Sequence, residues 1–472
     1  MKNYSILAWP VLLLAAIAIA QPSPDTLWTR SYGGLNVDQA YSIQNTADGG
    51  FVIAGLTRPM GSDFDDFYVV KINSEGDTLW TRTYGGAGDD QAYSIQQTPD
   101  GGFMIAGVTN SYGAGGRDAY VVKTDALGDS LWTRTYGGSG DDGARSLQQT
   151  TDGGCVIAGF TDSFDAGGHD FYLVKINALG DTLWTRTYGG EIDQAYSVQQ
   201  TTDGGYVLAG LTVGWQIFSV VKTDSLGDTL WTRVYHHDGV DEAPSIRQTL
   251  DGGYVIAGYT HNPGEGRMYL LKTDSEGDTV WTRRLMAPNL PSYAYCVQQT
   301  PDSGFLIAGC RTGDALVVKT SPSGFLSWYH RYGGDGLECA NSIQLTSDGG
   351  FVLAGWTFSY GAGLYDFYVV RTGTPATADD DVDRTPTAYS LSCYPNPFNS
   401  TNTIAFSLPQ AGVLSVRVFD VLGREVSVLK DGFVEAGTHR VTFDGSSLAS
   451  GIYFVRIDAG EFVQTNKLML LK

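Results

Sequence analysis

A chain of 472 residues can hold a large core and more than one domain. Its 42% apolar share argues against wholesale disorder, and its formal charge of −21 disfavours nucleic acid and anionic membranes as partners. Glycine is abundant at 61 against only 16 prolines, which points to many tight turns between short strands.

Residues 1–20 read as a secretory signal peptide. Lys2 supplies the positive start, Ile6 to Ala20 the apolar run, and Ala18-Ile19-Ala20 the small-residue cleavage site before Gln21. No later apolar stretch is long enough to span a bilayer, so no transmembrane segment is expected.

Residues 26–373 repeat with a period of roughly 50 residues. The period is marked by Trp28, Trp80, Trp132, Trp184, Trp231, Trp281 and Trp328. Each unit holds four candidate strands, here a to d. Strand a reads Leu-Trp-Thr-Arg-Thr-Tyr, as at 131–136, and strand b reads Ala-Tyr-Ser-Ile-Gln-Gln-Thr. Strand c reads Gly-Phe-Val-Ile-Ala-Gly and strand d Phe-Tyr-Val-Val-Lys. All are short, rich in aromatic and β-branched residues, and bounded by glycine and aspartate. The turn between b and c always carries an aspartate, as at Asp48, Asp100 and Asp152. These are expected to form turns, since aspartate hydrogen-bonds its own backbone there. The strand-a tryptophans are expected to be buried and structural. The arginine two residues on, such as Arg82, shares their strand face and should pack on the ring and meet a turn acid.

Seven four-stranded units predict a seven-bladed β-propeller, with an open solenoid as the rival. The array begins at a strand a and ends at a strand d. A closed ring would therefore pair Thr26–Tyr32 with Asp366–Thr372 and remove two exposed edges. In such a ring the b–c and d–a turns share one face. The a–b and c–d loops share the other, vary in length, and mark the expected working face. This part resembles bacterial secreted β-propeller repeat proteins.

Those variable loops are rich in acids. Asp65, Asp66, Asp89, Asp90, Asp141 and Asp142 are the candidate ligands for a hard cation such as Ca²⁺, which takes several carboxylate and carbonyl oxygens. No loop has the EF-hand ligand order, and solvated, turn-capping acids are the plainer reading. No other cofactor is expected. Because the acids recur in every unit they look like scaffold, whereas a catalytic residue should break the symmetry. The unit-specific residues are Trp215, His169, His236-His237, His261 and His330. None falls in a G-x-S-x-G, H-E-x-x-H or phosphate-cradling pattern, and no catalytic residue is assigned. Of the five cysteines, Cys155 takes an aromatic slot of strand c and reads as core. A Cys296–Cys310 disulfide is left open.

Residues 374–389 form a polar linker punctuated by proline. Residues 390–472 read as a second all-β domain with strands at 403–408, 413–420, 425–429, 439–443, 451–457 and 466–471. Leu414, Val416 and Val418 share a face, as suits a small immunoglobulin-like β-sandwich. It opens with Tyr394-Pro395-Asn396-Pro397-Phe398-Asn399. Phe419-Asp420-Val421-Leu422-Gly423-Arg424, then Ser450-Gly451-Ile452-Tyr453-Phe454, then Lys467-Leu468-Met469 follow in order. These spaced motifs resemble the type A C-terminal sorting domain of the type IX secretion system. Tyr394, Pro395, Asn396, Pro397, Phe398, Gly423, Gly451, Tyr453 and Lys467 are the positions that match. The resemblance implies a Gram-negative cell, Sec export, a translocon that reads the tail, and cargo released or held at the outer surface.

The expected function is a secreted or cell-surface, non-catalytic propeller that binds an extracellular glycan or protein. The alternatives are an extracellular polysaccharide-degrading enzyme and a structural or adhesion component of the surface.

Overall fold

The computed structural model describes residues 24–164, 168–189, 193–212, 217–235, 240–262, 265–285, 291–373, 389–394, 401–434, 437–460 and 462–470. Residues 1–20, expected to be a signal peptide, residues 374–388 of the expected linker, Pro395 to Phe398, Trp215 and His236-His237 lie outside them. The chain divides into two compact units, Met1–Pro375 and Ala376–Lys472. Among the described residues every regular element is a β-strand.

In the first unit the strands form repeated four-stranded antiparallel sheets of the kind found in propellers, seven among the described residues. Each sheet takes strands b, c and d of one unit and strand a of the next. A representative sheet runs Asp90–Gln97, Phe103–Thr109, Asp118–Thr124, Ser130–Tyr136. The last sheet is completed from the other end of the array. There Thr26–Tyr32 pairs antiparallel with Asp366–Thr372, from Thr26↔Thr372 to Tyr32↔Phe367. The expected closure is therefore present.

Strands c and d are buried along most of their length, and completely so in Phe103–Thr109 and Asp118–Thr124, because a neighbouring sheet covers each face. Their sequences accordingly read as continuous apolar runs rather than alternating ones. Strand a is the outer edge and exposes alternate residues.

Each strand b carries one bulge. Ala92 faces Gly107 and Ser94 faces Ala106, so Tyr93 is skipped. The bulge pushes the backbone towards strand c, and a Cβ on Gly107 would stand 1.9 Å from the Gln91 carbonyl oxygen. This explains the glycine at the fifth position of every strand c.

Neighbouring sheets are joined near their inner edges by a serine of strand b. Ser42 Oγ accepts the Ile95 N–H at 3.3 Å, Ser146 Oγ that of Val198 at 3.2 Å, and Ser245 Oγ that of Val297 at 3.2 Å. In the last sheet Ser342 Oγ accepts from Ile43 of the first, at 3.3 Å.

At the outer edge strand a grips the next sheet. Arg82 lies 5.7 Å from the centre of the Trp80 ring and meets Asp129 at 3.1 Å, and Tyr84 donates to the Gly128 carbonyl at 2.6 Å. Gly128 has φ +79°, and a Cβ there would strike the Trp80 ring at 2.9 Å. The arginine thus does what its spacing suggested. The tryptophan is half-buried rather than enclosed, because it caps the join between two sheets and packs edge-on to Phe103 at 5.7 Å.

The second unit has a three-stranded sheet, Ser390–Tyr394, Thr401–Leu408, Gly437–Asp444, and a four-stranded one, Glu425–Val434, Gly412–Asp420, Gly451–Ala459, Phe462–Leu470. Ile404, Phe406 and Phe443 of the first share a core with Leu414, Val416, Val418 and Val455 of the second. Ser390–Tyr394 is a strand that the hydrophobic pattern did not reveal, and the other strands run one to five residues longer than expected.

Candidate functional site

The symmetry of the repeats supplies a centre. Strand b is the innermost strand, and its serine and its first glutamine line one cavity of about 230 Å³. The lining draws on the strands b of all seven sheets, from Ser42 and Gln44 through Gln96, Gln148 and Gln199 to Gln298 and Gln344. In the fifth sheet the glutamine is replaced by Arg247.

Acceptors on this lining are already used. Besides the serine Oγ atoms, Gln96 Oε1 accepts the Gln149 N–H and Gln199 Oε1 that of Gln248, each at 2.6 Å. Arg247 Nη1 donates to the Ile246 carbonyl at 2.7 Å and, more weakly, to Ser197 Oγ at 3.4 Å.

Towards the a–b loops the skipped bulge residues form a second tier: Tyr41, Tyr93, Arg145, Tyr196, Pro244, Tyr295 and Asn341. The Tyr41 and Tyr93 rings are 5.1 Å apart, and the Arg145 guanidinium lies 4.2 Å over the Tyr93 ring. Across the tier Tyr259 packs edge-on to Tyr295 at 5.8 Å and donates to Glu242 Oε2 at 2.5 Å. The first side is tied to the loops by a relay. Tyr93 Oη donates to Gln91 Oε1 at 2.6 Å, Gln91 Nε2 to Asp65 at 3.1 Å, and Arg58 Nε to Asp65 at 2.9 Å. Burial, then the Glu242 charge, raises the Tyr196 phenol to about 12, so Tyr196 is neutral at physiological pH.

The six acids named from the sequence are placed differently from expectation. Asp90 and Asp142 are not solvated loop acids. They open strands b and are completely enclosed. Asp90 Oδ2 accepts the Gly86 N–H at 2.8 Å and the Ser111 hydroxyl at 2.6 Å; Asp142 Oδ2 accepts Gly138 N–H at 2.7 Å and the Ser163 hydroxyl at 2.5 Å. They bind the Tyr-Gly-Gly loop to the sheet.

Asp66 opens a strand d and faces Asp90 across Gly85, where a Cβ would meet Asp66 Oδ1 at 2.1 Å and Asp90 Oδ2 at 2.7 Å. Burial, then the Asp90 charge, raises the Asp66 carboxyl. Asp65 is matched by Arg58, Asp89 Oδ1 accepts the Asp65 N–H at 3.1 Å, and Asp141 accepts from Arg117 N–H at 2.9 Å. Among the described residues no three His, Cys, Asp or Glu side chains are grouped to share a metal ion.

The turn aspartates do more than expected. Asp48 accepts its own turn's Gly50 N–H at 3.1 Å, and also pairs with Lys71 of strand d at 2.8 Å. The lysine is buried and donates to the Ile72 carbonyl as well, at 3.1 Å. The lysine one residue before the end of every strand d but the last, where Arg371 takes its place, carries this signal. Of the symmetry-breaking histidines, His330 lies 4.6 Å from the Tyr332 ring and His169 2.6 Å from Asp162, so neither sits at the centre. Arg145 and Arg247, which do, were missed because arginine recurs elsewhere in every unit. Only comparison of equivalent strand-b positions exposes them.

In the second unit Gly423 has φ +77° in the Asp420–Arg424 turn, which only glycine takes without strain. Gly451 begins a strand, Tyr453 is buried with its hydroxyl on the Ala449 carbonyl at 2.8 Å, and Lys467 is exposed. Tyr394 ends Ser390–Tyr394. Residues 392–471 match the family described as the Secretion system C-terminal sorting domain. The C-terminal unit is a secretion-system sorting domain. This is a secreted or cell-surface protein, and the sorting domain implies that it interacts with its secretion system.

Among curated proteins, the Regulatory protein FlaEY of Caulobacter vibrioides is 26% identical over 176 residues, 31% of this chain and 18% of that protein. The chain thus spans under a fifth of that relative. Among solved structures, PorZ, a surface component of the type-IX secretion system of Porphyromonas gingivalis, gives a TM-score of 0.47 at 12% identity. That likeness covers 93% of this chain and 60% of PorZ. The WD40 domain of Toxoplasma gondii coronin gives 0.46 at 10% identity, over 78% of this chain and 91% of that domain. Neither structural likeness bears on what the chain does. No helix among the described residues is long and apolar enough to cross a membrane.

Proposed function

We propose that the chain is exported by a type IX secretion system and binds an extracellular glycan, without catalysis, at the centre of a seven-bladed propeller. In this reading residues 1–20 are the signal peptide and 26–373 the propeller. Residues 374–389 are a linker, and 390–472 are an immunoglobulin-like sorting sandwich carrying the motif residues Tyr394 to Phe398, Gly423, Gly451, Tyr453 and Lys467. The pairing of Thr26–Tyr32 with Asp366–Thr372 and the serine bonds from sheet to sheet support the closed ring.

One observation carries the choice of ligand. The tier of Tyr41, Tyr93 and Arg145 brings aromatic and guanidinium surfaces together at the start of the strands b, beside the a–b loops. Half-buried tyrosines offer an apolar ring face and a polar tip, which suits the CH faces and hydroxyls of a sugar. Their mutual packing and the Gln91–Asp65–Arg58 relay hold them ready, which limits the ordering cost of binding.

The test is a glycan array on the secreted protein, followed by titration of any hit. Tyr93→Ala should weaken that hit at least tenfold with no turnover of the glycan. Unchanged affinity in Tyr93→Ala, retention of a protein but no glycan, or hydrolysis of the bound glycan would each overturn the reading.

A further inference from the structure

The cavity below the tyrosine tier has a definite polarity. Each lining serine accepts one N–H of a neighbouring sheet on its oxygen, as Ser42, Ser94, Ser146 and Ser342 do. The hydroxyl hydrogens of Ser42, Ser146 and Ser342 find no acceptor among the described residues, whereas Ser94 donates its own to the Leu147 carbonyl at 3.5 Å. The glutamines are turned alike. Gln96 and Gln199 use their amide oxygens on backbone N–H groups, which leaves the NH₂ ends over. A serine or glutamine whose oxygen already accepts a hydrogen bond still has its O–H or NH₂ to donate.

Into this donor-rich lining the fifth sheet brings Arg247. Its Nη1 is bonded, but Nε and Nη2 meet no described acceptor, and no described carboxylate pairs with it. Arg145, which replaces the tyrosine of the tier above, is likewise unpaired, and its Nε is buried without a partner. Among the residues that break the repeat at the centre, Pro244, Cys296 and Asn341 are uncharged, while Arg145 and Arg247 both add positive charge.

We infer that the axial cavity is an oxyanion site, in which Arg247 and the ring of serine and glutamine donors hold a sulfate, phosphate or carboxylate group. The overall negative charge does not forbid it. Surface charges farther off than about 8–10 Å are largely screened at physiological salt, whereas donors around an enclosed anion are not. Charge-assisted hydrogen bonds are also roughly twice as strong as neutral ones. The cavity, at about 230 Å³, has room for one such group and a few waters. The inference uses the closed ring of the proposed function but not its glycan.

Inorganic sulfate titrated into the full secreted chain, in a buffer free of other oxyanions, tests it by calorimetry and thermal unfolding. Saturable binding that weakens at least tenfold in Arg247→Gln is expected. That variant restores the residue of the other six sheets, so it should fold, and an unchanged melting temperature without sulfate will show that it does. Sulfate also stabilises proteins by exclusion from their surface, and the variant subtracts that effect. A second arm compares a sulfated oligosaccharide with its desulfated form. Loss of the sulfated ligand's advantage in Arg247→Gln supports a glycan-borne group, and equal loss for free sulfate supports a free ion in the same site. No saturable sulfate binding, or binding undiminished in Arg247→Gln, would sink the inference. Failure of the glycan reading shows separately, as an unaltered response to Tyr93→Ala while sulfate binding persists.

Discussion

Two sets of aspartates, alike in sequence, are set in opposition by a few ångströms of surroundings. Asp48, Asp100, Asp152 and Asp203 stand in turns. Burial is the largest single influence and pushes each carboxyl up, but hydrogen bonds from a lysine, a threonine and a glycine together outweigh it and hold each at about 2. Asp38, Asp66, Asp118 and Asp366 sit beside a second carboxylate, and burial, aided by their neighbours' charges at the last three, raises them. The signs are opposite. The lowered group stabilises the fold above the ordinary carboxylate pKa and loses that contribution as pH falls through about 2. The raised group favours the fold fully below the ordinary value, and that benefit disappears as pH rises through its raised pKa. Melting temperature should therefore hold or rise from pH 7 to about 4.5 and fall only between about 4 and 2. A steady decline from pH 7 to 4.5 would refute this assignment. Lys123→Met should cost about 1–2 kcal/mol at pH 7, because Asp100 is exposed enough to be resolvated, and should flatten the low-pH fall.

Strand c shows why element-level patterns were easy to read and their reasons were not. Its length, its apolar run and its recurrent glycine are plain in the sequence, and the four-strand order follows from short turns. The bulge opposite the glycine is not, since it depends on which residue of Ala92-Tyr93-Ser94 the partner strand skips. The same skip hid the candidate site, because a bulged tyrosine in one sheet has meaning only beside its counterparts roughly 50 residues away. The acids misled for a related reason. Asp90 lies next to a glycine-rich loop in sequence but folds into the first pair of a ladder, Asp90↔Thr109, where it is sealed from water. Gly107→Ala should destabilise by about 3 kcal/mol or more, since the new methyl meets backbone that cannot swing aside. Gly34→Ala, with nothing within 4 Å, should stay within about 0.5 kcal/mol. Chemical denaturation of the two variants decides the matter, and equal losses would remove the bulge as the reason for the glycine.

For the whole molecule the weight falls on a seven-residue strand from the opposite end of the array. Thr26–Tyr32 gives the last sheet its fourth strand, and Trp28 packs edge-on to Phe51 of the first sheet at 6.2 Å. Without it Asp366–Thr372 would present a bare edge of unpaired N–H and C=O groups, a template for pairing with another chain. In an open stack, loss of a terminal strand frays that end and leaves distant repeats as they were. In a closed ring the same loss opens the join between last and first sheets, and each sheet then gains a route to unfold from a free end. A chain shortened past Tyr32 should therefore melt lower, lose its single sharp transition and self-associate. Amide exchange should quicken even in Asp142–Gln149, far along the array from the cut. A peptide spanning 24–32, added in trans, should restore the melting temperature by refilling the edge. Exchange that quickens only in the last sheet would mean that the ends meet without sharing stability, and the sheets would have to be treated as a stack.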